Sequence, residues 1–125
     1  MKILIKFDEN NQIVPYAKDK KITINDSPFL LFLASAGMCA AYYAREFMQN
    51  RNISLEGVSI VETVFYNKET HMAENINIHV ELPEIFPTKY KNAIKSAISQ
   101  CTVKRHLGNP PSFEIQTSLD LVMTA

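Results

Sequence analysis

Seventeen consecutive residues, Pro28 to Ala44 (PFLLFLASAGMCAAYYA), carry one fully polar side chain, the hydroxyl of Ser35, besides the tips of Tyr42 and Tyr43. At about 1.5 Å of rise per residue the run makes a helix roughly 25 Å long. A helix that is apolar around its whole circumference has to be buried around its whole circumference. Asn25, Asp26 and Ser27 offer an N-cap before it, and Pro28 occupies the first helical position, where its missing N–H costs nothing. The helix is expected to end near Arg51–Asn52, where Asn and charge replace apolar residues. Cys39, one of only two cysteines, lies in its middle. A chain of 125 residues makes one domain, residues 1–125, which is small for enclosing such a helix alone.

A bilayer is one way to bury an apolar helix, but this run lies at the lower edge of a spanning length. Ala34, Ser35, Ala36 and Gly37 dilute it, and the rest of the chain alternates as soluble strands do, so no membrane partner is expected. Thirteen basic and thirteen acidic residues leave the chain formally neutral. Its densest basic stretch is KDKK at Lys18–Lys21, which points away from nucleic acid. MKILIKFDENN alternates and then turns acidic, unlike a signal peptide. Two cysteines cannot form a secreted disulfide framework, and a reducing cytoplasm is the expected compartment.

Around the long helix the pattern reads β-β-β-α-β-β-α-β, an α+β class. Lys2–Phe7 alternates, DENN turns, Gln12–Tyr16 returns as a strand that Pro15 confines to an edge or bulge, and Lys21–Ile24 is a short third strand. Leu55–Tyr66 has mixed faces, which suits a central strand or one bulged near Glu62. NKETHMAE is a hairpin loop, and Ile76, Ile78, Val80 and Leu82 alternate with Asn77, His79 and Glu81 as a half-buried strand. Tyr90, Ala93, Ile94, Ala97, Ile98 and Cys101 recur at steps of three and four, predicting an amphipathic helix capped by Thr88, with Cys101 at the end of its apolar stripe. After the GNPPS break, Phe113–Met123 is expected to close the fold as a strand.

Taken singly, each cysteine reads as a small buried hydrophobe. Taken together, they sit on inward-facing stripes of the two long helices, which must pack on each other. Gly37, two residues before Cys39, thins the helix where a backbone or a small substrate can approach. A dithiol pair in a reducing compartment suits redox chemistry: a thiolate attacks an O–O or S–S bond, and a second thiol resolves the product. Burial alone favours the neutral thiol, so the reacting cysteine needs a cation or donor; Arg45, Lys104, Arg105 and His106 are the candidates. Metal binding is disfavoured, since there is no CxxC and His71, His79 and His106 are scattered. No metal or other cofactor is called for.

The pattern Ser27-Pro28-x(10)-Cys39, then Leu55-Glu56-Gly57-Val58, then a helix ending in Cys101-Thr102-Val103, resembles the OsmC/Ohr superfamily of osmotically inducible and organic hydroperoxide resistance proteins. The match runs from Asn25 onward with the elements in the family's order. The resemblance implies an intertwined homodimer, with two central helices wrapped by antiparallel sheets and sites at the subunit interface. It also implies a peroxidatic Cys39, a resolving Cys101, an organic hydroperoxide as substrate, and a small thiol or lipoyl group as reductant. Two features depart from the family pattern. Phe29 stands where an acidic residue usually follows the motif proline, and residues 1–27 contain no arginine. Thr102 also replaces the usual proline after the second cysteine. The expected function is thus thiol-dependent peroxide reduction through Cys39 and Cys101, weak or divergent for want of the usual activating pair. The alternative is a non-catalytic protein holding a small hydrophobic ligand at the dimer interface, in a pocket formed by Phe29, Phe32, Tyr42 and Tyr43.

Overall fold

A computed structural model describes residues 1–119 of the chain. Five strands form one antiparallel sheet: β1 (Lys2–Phe7), β2 (Ile13–Ala17), β3 (Lys20–Lys21), β4 (Ser59–Tyr66) and β5 (Ala73–Glu81), in the order β3-β2-β1-β4-β5. The helices are α1 (Pro28–Gln49), α2 (Lys91–Ser99, entered through a 3₁₀ turn at Thr88–Tyr90) and α3 (Thr102–Gly108).

Local chemistry explains most of the boundaries. The Asp8 carboxylate accepts the N–H groups of Asn10 and Gln12, both at 2.8 Å, and so closes the β1–β2 turn. Lys18 and Asp19 both adopt positive φ (50° and 63°), which makes a tight hairpin and leaves β3 only two residues long. The expected third strand at Lys21–Ile24 is therefore displaced: Ile22 is still held to the Pro15 carbonyl, but the Thr23 N–H turns to the Asp26 carboxylate at 2.7 Å. Ser27 caps α1 through its Oγ, which accepts the Leu30 N–H at 3.2 Å, with Pro28 at the first helical position as expected. At its far end the helix stops at Gln49, slightly early, because Asn52 takes positive φ (56°) and the Ile53 N–H returns to the Met48 carbonyl at 2.9 Å.

β4 begins at Ser59 rather than Leu55. Gly57 at φ +80° and a Val58 N–H to Leu55 carbonyl bond turn the chain first. Once started, β4 is central, paired to β1 on one side and β5 on the other; its one irregularity falls at Phe65/Tyr66 rather than at Glu62.

The core lies between the sheet and α1. Ile3 and Ile5 of β1, Ile60 and Val64 of β4, and Leu33, Ala34, Ala40 and Ala41 of α1 are all buried in one cluster. A second cluster joins the end of α1 (Ala44, Phe47, Met48) to Leu55, Val58, Phe86 and Ile94.

Two further expectations are corrected. The helix expected to run from Thr88 through Cys101 breaks instead at Gln100, where the Gln100 and Cys101 N–H groups close onto Ala97 and Ile98, and Ala93 is exposed. A break there lets the chain turn onto a separate helix, so Cys101 caps α3 instead of ending α2. The closing strand expected at Phe113–Met123 is not formed over its described part: residues 113–119 carry no strand, and Phe113, Ile115 and Leu119 are exposed. Residues 120–123 of that expectation lie outside the described residues. A two-residue alternation records a face but not the edge it needs, and a strand exists only where a ladder receives it.

One chain does not cover α1 all round, in keeping with the small size of the domain relative to this helix. Phe29, Phe32 and Tyr42 are 50%, 43% and 46% exposed, because one sheet layer and two short helices shield only part of its circumference. No helix among the described residues is long and apolar enough to cross a membrane.

Candidate functional site

The two cysteines are brought together by the elements that carry them. Cys39 sits half-buried on α1, on the side away from the sheet; Cys101 is buried at the α2–α3 junction as the N-cap residue of α3. A polar link sits beside the pair. Tyr43, one turn beyond Cys39, places its hydroxyl 2.8 Å from Oγ1 of Thr102, the residue after Cys101. Position 102, where the family pattern usually has proline, thus carries a hydroxyl that ties α3 to α1. Both cysteines are free thiols.

Electrostatics at Cys101 run in opposing directions. Burial pushes its thiol up, the neighbouring Cys39 sulfur adds to this through hydrogen bonding and charge, and the N–H groups of Lys104 and Val103 pull partly back. The result favours a neutral Cys101 next to Cys39. In chemical terms Cys101 can serve as a proton-bearing partner to a sulfur on α1, the posture of a thiol that attacks second.

A cavity of about 590 Å³ opens beside Cys101, between α1, β5, α2 and α3. Ile78, Ile94 and Ile98 give it apolar walls, and Lys91, Lys95 and Lys104 add cationic groups. Of the candidate activating cations, only Lys104 lines this cavity. The Arg45 guanidinium donates to the Asn11 carbonyl at 2.8 Å and lies 5.5 Å from the Tyr42 ring, so it braces the β1–β2 turn. His106 sits with Nδ1 2.8 Å from the Thr102 carbonyl, and Arg105 is exposed on α3. Phe29, Phe32, Tyr42 and Tyr43 line no part of the cavity; Phe29, Phe32 and Tyr42 are exposed on α1, whereas the half-buried Tyr43 turns to Thr102. Phe29 stacks on Phe32 with ring centroids 5.9 Å apart, and Tyr42 meets Tyr43 edge-on at 5.5 Å.

Sequence reasoning missed one group. Glu62 is fully buried on β4, between Ile3 of β1 and Ile78 of β5 in register, and its Oε1 accepts the Gly37 N–H at 3.0 Å. Its Oε2 has no hydrogen-bond partner among the described residues. Burial pushes this carboxyl up from 4.5 to about 7, against the lowering effect of the Gly37 N–H. The signal was present: Glu62 has the parity of Ile60 and Val64, the core-facing residues of its strand. Gly37, singled out as a thin point of the helix, receives this carboxyl and not a substrate.

No group of three or more His, Cys, Asp or Glu among the described residues is placed to hold a metal ion. No curated protein matches the chain. A solved structure with a similar fold is that of an OsmC-like hydroperoxide resistance protein from Jannaschia sp. CCS1, 14% identical, with a TM-score of 0.64 over 97% of this chain and 93% of that one. The family model for OsmC-like proteins matches residues 17–116, most of the chain and both cysteines, and the protein therefore belongs to the OsmC-like family.

Proposed function

We propose that this protein reduces organic hydroperoxides through Cys39 and Cys101, and the observation that carries the reading is the interaction between these two thiols across the α1–α3 contact. The Cys39 thiolate attacks the terminal oxygen of ROOH; the O–O bond breaks, a proton goes to the departing alkoxide, and the products are ROH and a Cys39 sulfenic acid. The Cys101 thiol then attacks that sulfur, releasing water and leaving a Cys39–Cys101 disulfide, which a small thiol or lipoyl dithiol returns to two thiols. A neutral Cys101 matches the second role, since it brings the proton that leaves with water. Lys104 is the cation best situated to assist, as it lines the cavity that Cys101 closes. The described hydroperoxide resistance neighbour and the family membership support the same reading, and a reducing cytoplasm suits a cycle that returns to free thiols.

The working unit of this proposal is a homodimer. The half-exposed aromatic face of α1 and the exposed apolar positions Phe113, Ile115 and Leu119 are surfaces a second copy would cover. A stable, folded monomer at micromolar concentration in sedimentation would remove this part of the reading. The second reading, a non-catalytic binder of a small hydrophobic ligand, is favoured by the apolar walls of the 590 Å³ cavity. One experiment separates the two. Addition of one equivalent of cumene hydroperoxide should consume both thiols, yield one equivalent of alcohol, and give a Cys39–Cys101 peptide pair in mapping. Peroxide left unconsumed, with both thiols free, would reject the enzyme reading.

A further inference from the structure

Glu62 is used by neither reading, and its setting is unusual. The side chain is fully buried, in a core cluster otherwise made of Ile, Leu, Val and Ala. Its one hydrogen-bond partner is a backbone N–H in the middle of α1, and the other oxygen faces no polar group. The contact exists because position 37 is glycine: a Cβ there would lie 2.5 Å from Oε1 and 3.1 Å from Cγ1 of Ile5. The carboxyl head therefore fills the volume of the side chain that α1 lacks.

We propose that Glu62 is a proton-dependent clamp between the sheet and α1: the protonated carboxyl seats in the notch at Gly37 and holds the Cys39-bearing helix down, and loss of its proton loosens that contact. A neutral carboxylic acid tolerates an apolar site with a single N–H donor, whereas a carboxylate there has one donor for two charged oxygens. Relief requires water to enter or the helix to lift.

Among the described residues, no compensating charge faces the carboxyl. From β1 its register neighbour is Ile3, while Lys2 and Lys6 pair with Thr63 and Ser59 on the other face; the Met1 ammonium is engaged by the Val64 carbonyl at 3.2 Å. From β5 its register neighbour is Ile78; His79 and Glu81 pair with Val61 and Ser59 on the other face, and Glu74 is exposed. On α1 the nearest titratable side chain in sequence is Cys39, on the far side of the helix from Gly37; Tyr42, Tyr43, Arg45 and Glu46 lie one to three turns on. Both elements of the clamp are central to the fold, so what loosens it acts on α1 as a unit. The clamp requires no catalytic role for Cys39, and its test is independent of the peroxidase reading.

The direction with pH follows from linkage. Well below 4.5 folded and unfolded chains both hold the proton; between 4.5 and about 7 the unfolded chain has lost it while the folded chain keeps it, so stability falls as pH rises, and above about 7 the loss is complete. At its steepest the folded-to-unfolded ratio drops about tenfold per pH unit. Three measurements test this. In wild-type protein with ¹³C-labelled glutamate, one side-chain carboxyl should titrate near neutrality, and that signal should be missing in Glu62→Gln. Urea unfolding from pH 5 to 8 should then show a fall in stability that is largely absent in Glu62→Gln, which mimics the protonated form. Hydrogen exchange of the α1 amides around Gly37, corrected for intrinsic rates, should accelerate with pH in the wild type only. A normal titration for every glutamate carboxyl overturns the proposal without recourse to a variant, as does an equal pH slope in wild type and Glu62→Gln.

Discussion

Substituting Gly37 by alanine sets two large effects against each other. In an ordinary helix interior the change is favourable by about 1 kcal/mol, since alanine has less backbone freedom to lose. Here the new methyl meets Oε1 of Glu62 at 2.5 Å and Ile5 at 3.1 and 3.2 Å. The carboxyl has to move, and no other polar group is at hand for it, since Oε2 is already without a partner. Losing the Gly37 donor while the acid stays buried costs about 1–3 kcal/mol. Overpacking against Ile5 adds about 1–3 kcal/mol. The net expectation for Gly37→Ala is destabilisation by about 1–5 kcal/mol, the sum of these costs less the helix gain. Urea unfolding at pH 5 measures it, because there the folded wild type holds Glu62 neutral, and ionisation in the unfolded chain is common to both proteins. A double-mutant cycle then isolates the cause. In a Glu62→Ala background the closest obstacle is gone, so the same Gly37→Ala change should cost little or stabilise. An undiminished penalty in that background, or a stabilising Gly37→Ala in the wild type, would refute the reasoning.

Tyr43→Phe removes the hydroxyl held by Thr102 and should cost about 0.5–1 kcal/mol in urea unfolding, at the low end because the bond is exposed; the Cys39–Cys101 disulfide should also form more slowly, as followed by thiol titration after peroxide. Cys39→Ser takes away the sulfur that helps push Cys101 up, so alkylation of Cys101 should shift to lower pH than in Cys39-containing protein; an unshifted profile would mean burial alone sets it. Ser27→Ala deletes the cap on the Leu30 N–H and should lower stability by about 1 kcal/mol, read as a lower urea midpoint with unchanged slope.

Much of the site could be read without coordinates, and the reason is locality. Ser27, Pro28 and the unbroken apolar run act on their own helix, so the position of α1 and of Cys39 within it follows from neighbours a few residues away. The alternation of Ile76, Ile78 and Val80 likewise marks β5 by itself, and the spacing of the two cysteines carries the family likeness. The end of α2 was harder. Apolar spacing from Tyr90 to Cys101 continues across Gln100, yet the helix stops, since periodicity does not report where a chain turns to pack a second helix against α1.

The sequence by itself determined the long apolar helix, the strand alternation and the two-cysteine framework. Each is a matter of side-chain type at short range. Only the tertiary structure decided what those elements face. It put Arg45 on the Asn11 carbonyl and Lys104 beside Cys101, although both were equal candidates by position. It left Phe29, Phe32 and Tyr42 uncovered and Phe113 and Ile115 exposed outside any strand, because covering a helix or extending a sheet needs a second surface that local pattern cannot supply. Above all it set Glu62 against Gly37. The two are 25 residues apart, and a buried acid opposite a missing Cβ is a fact about two elements meeting, which exists only once β4 and α1 are packed.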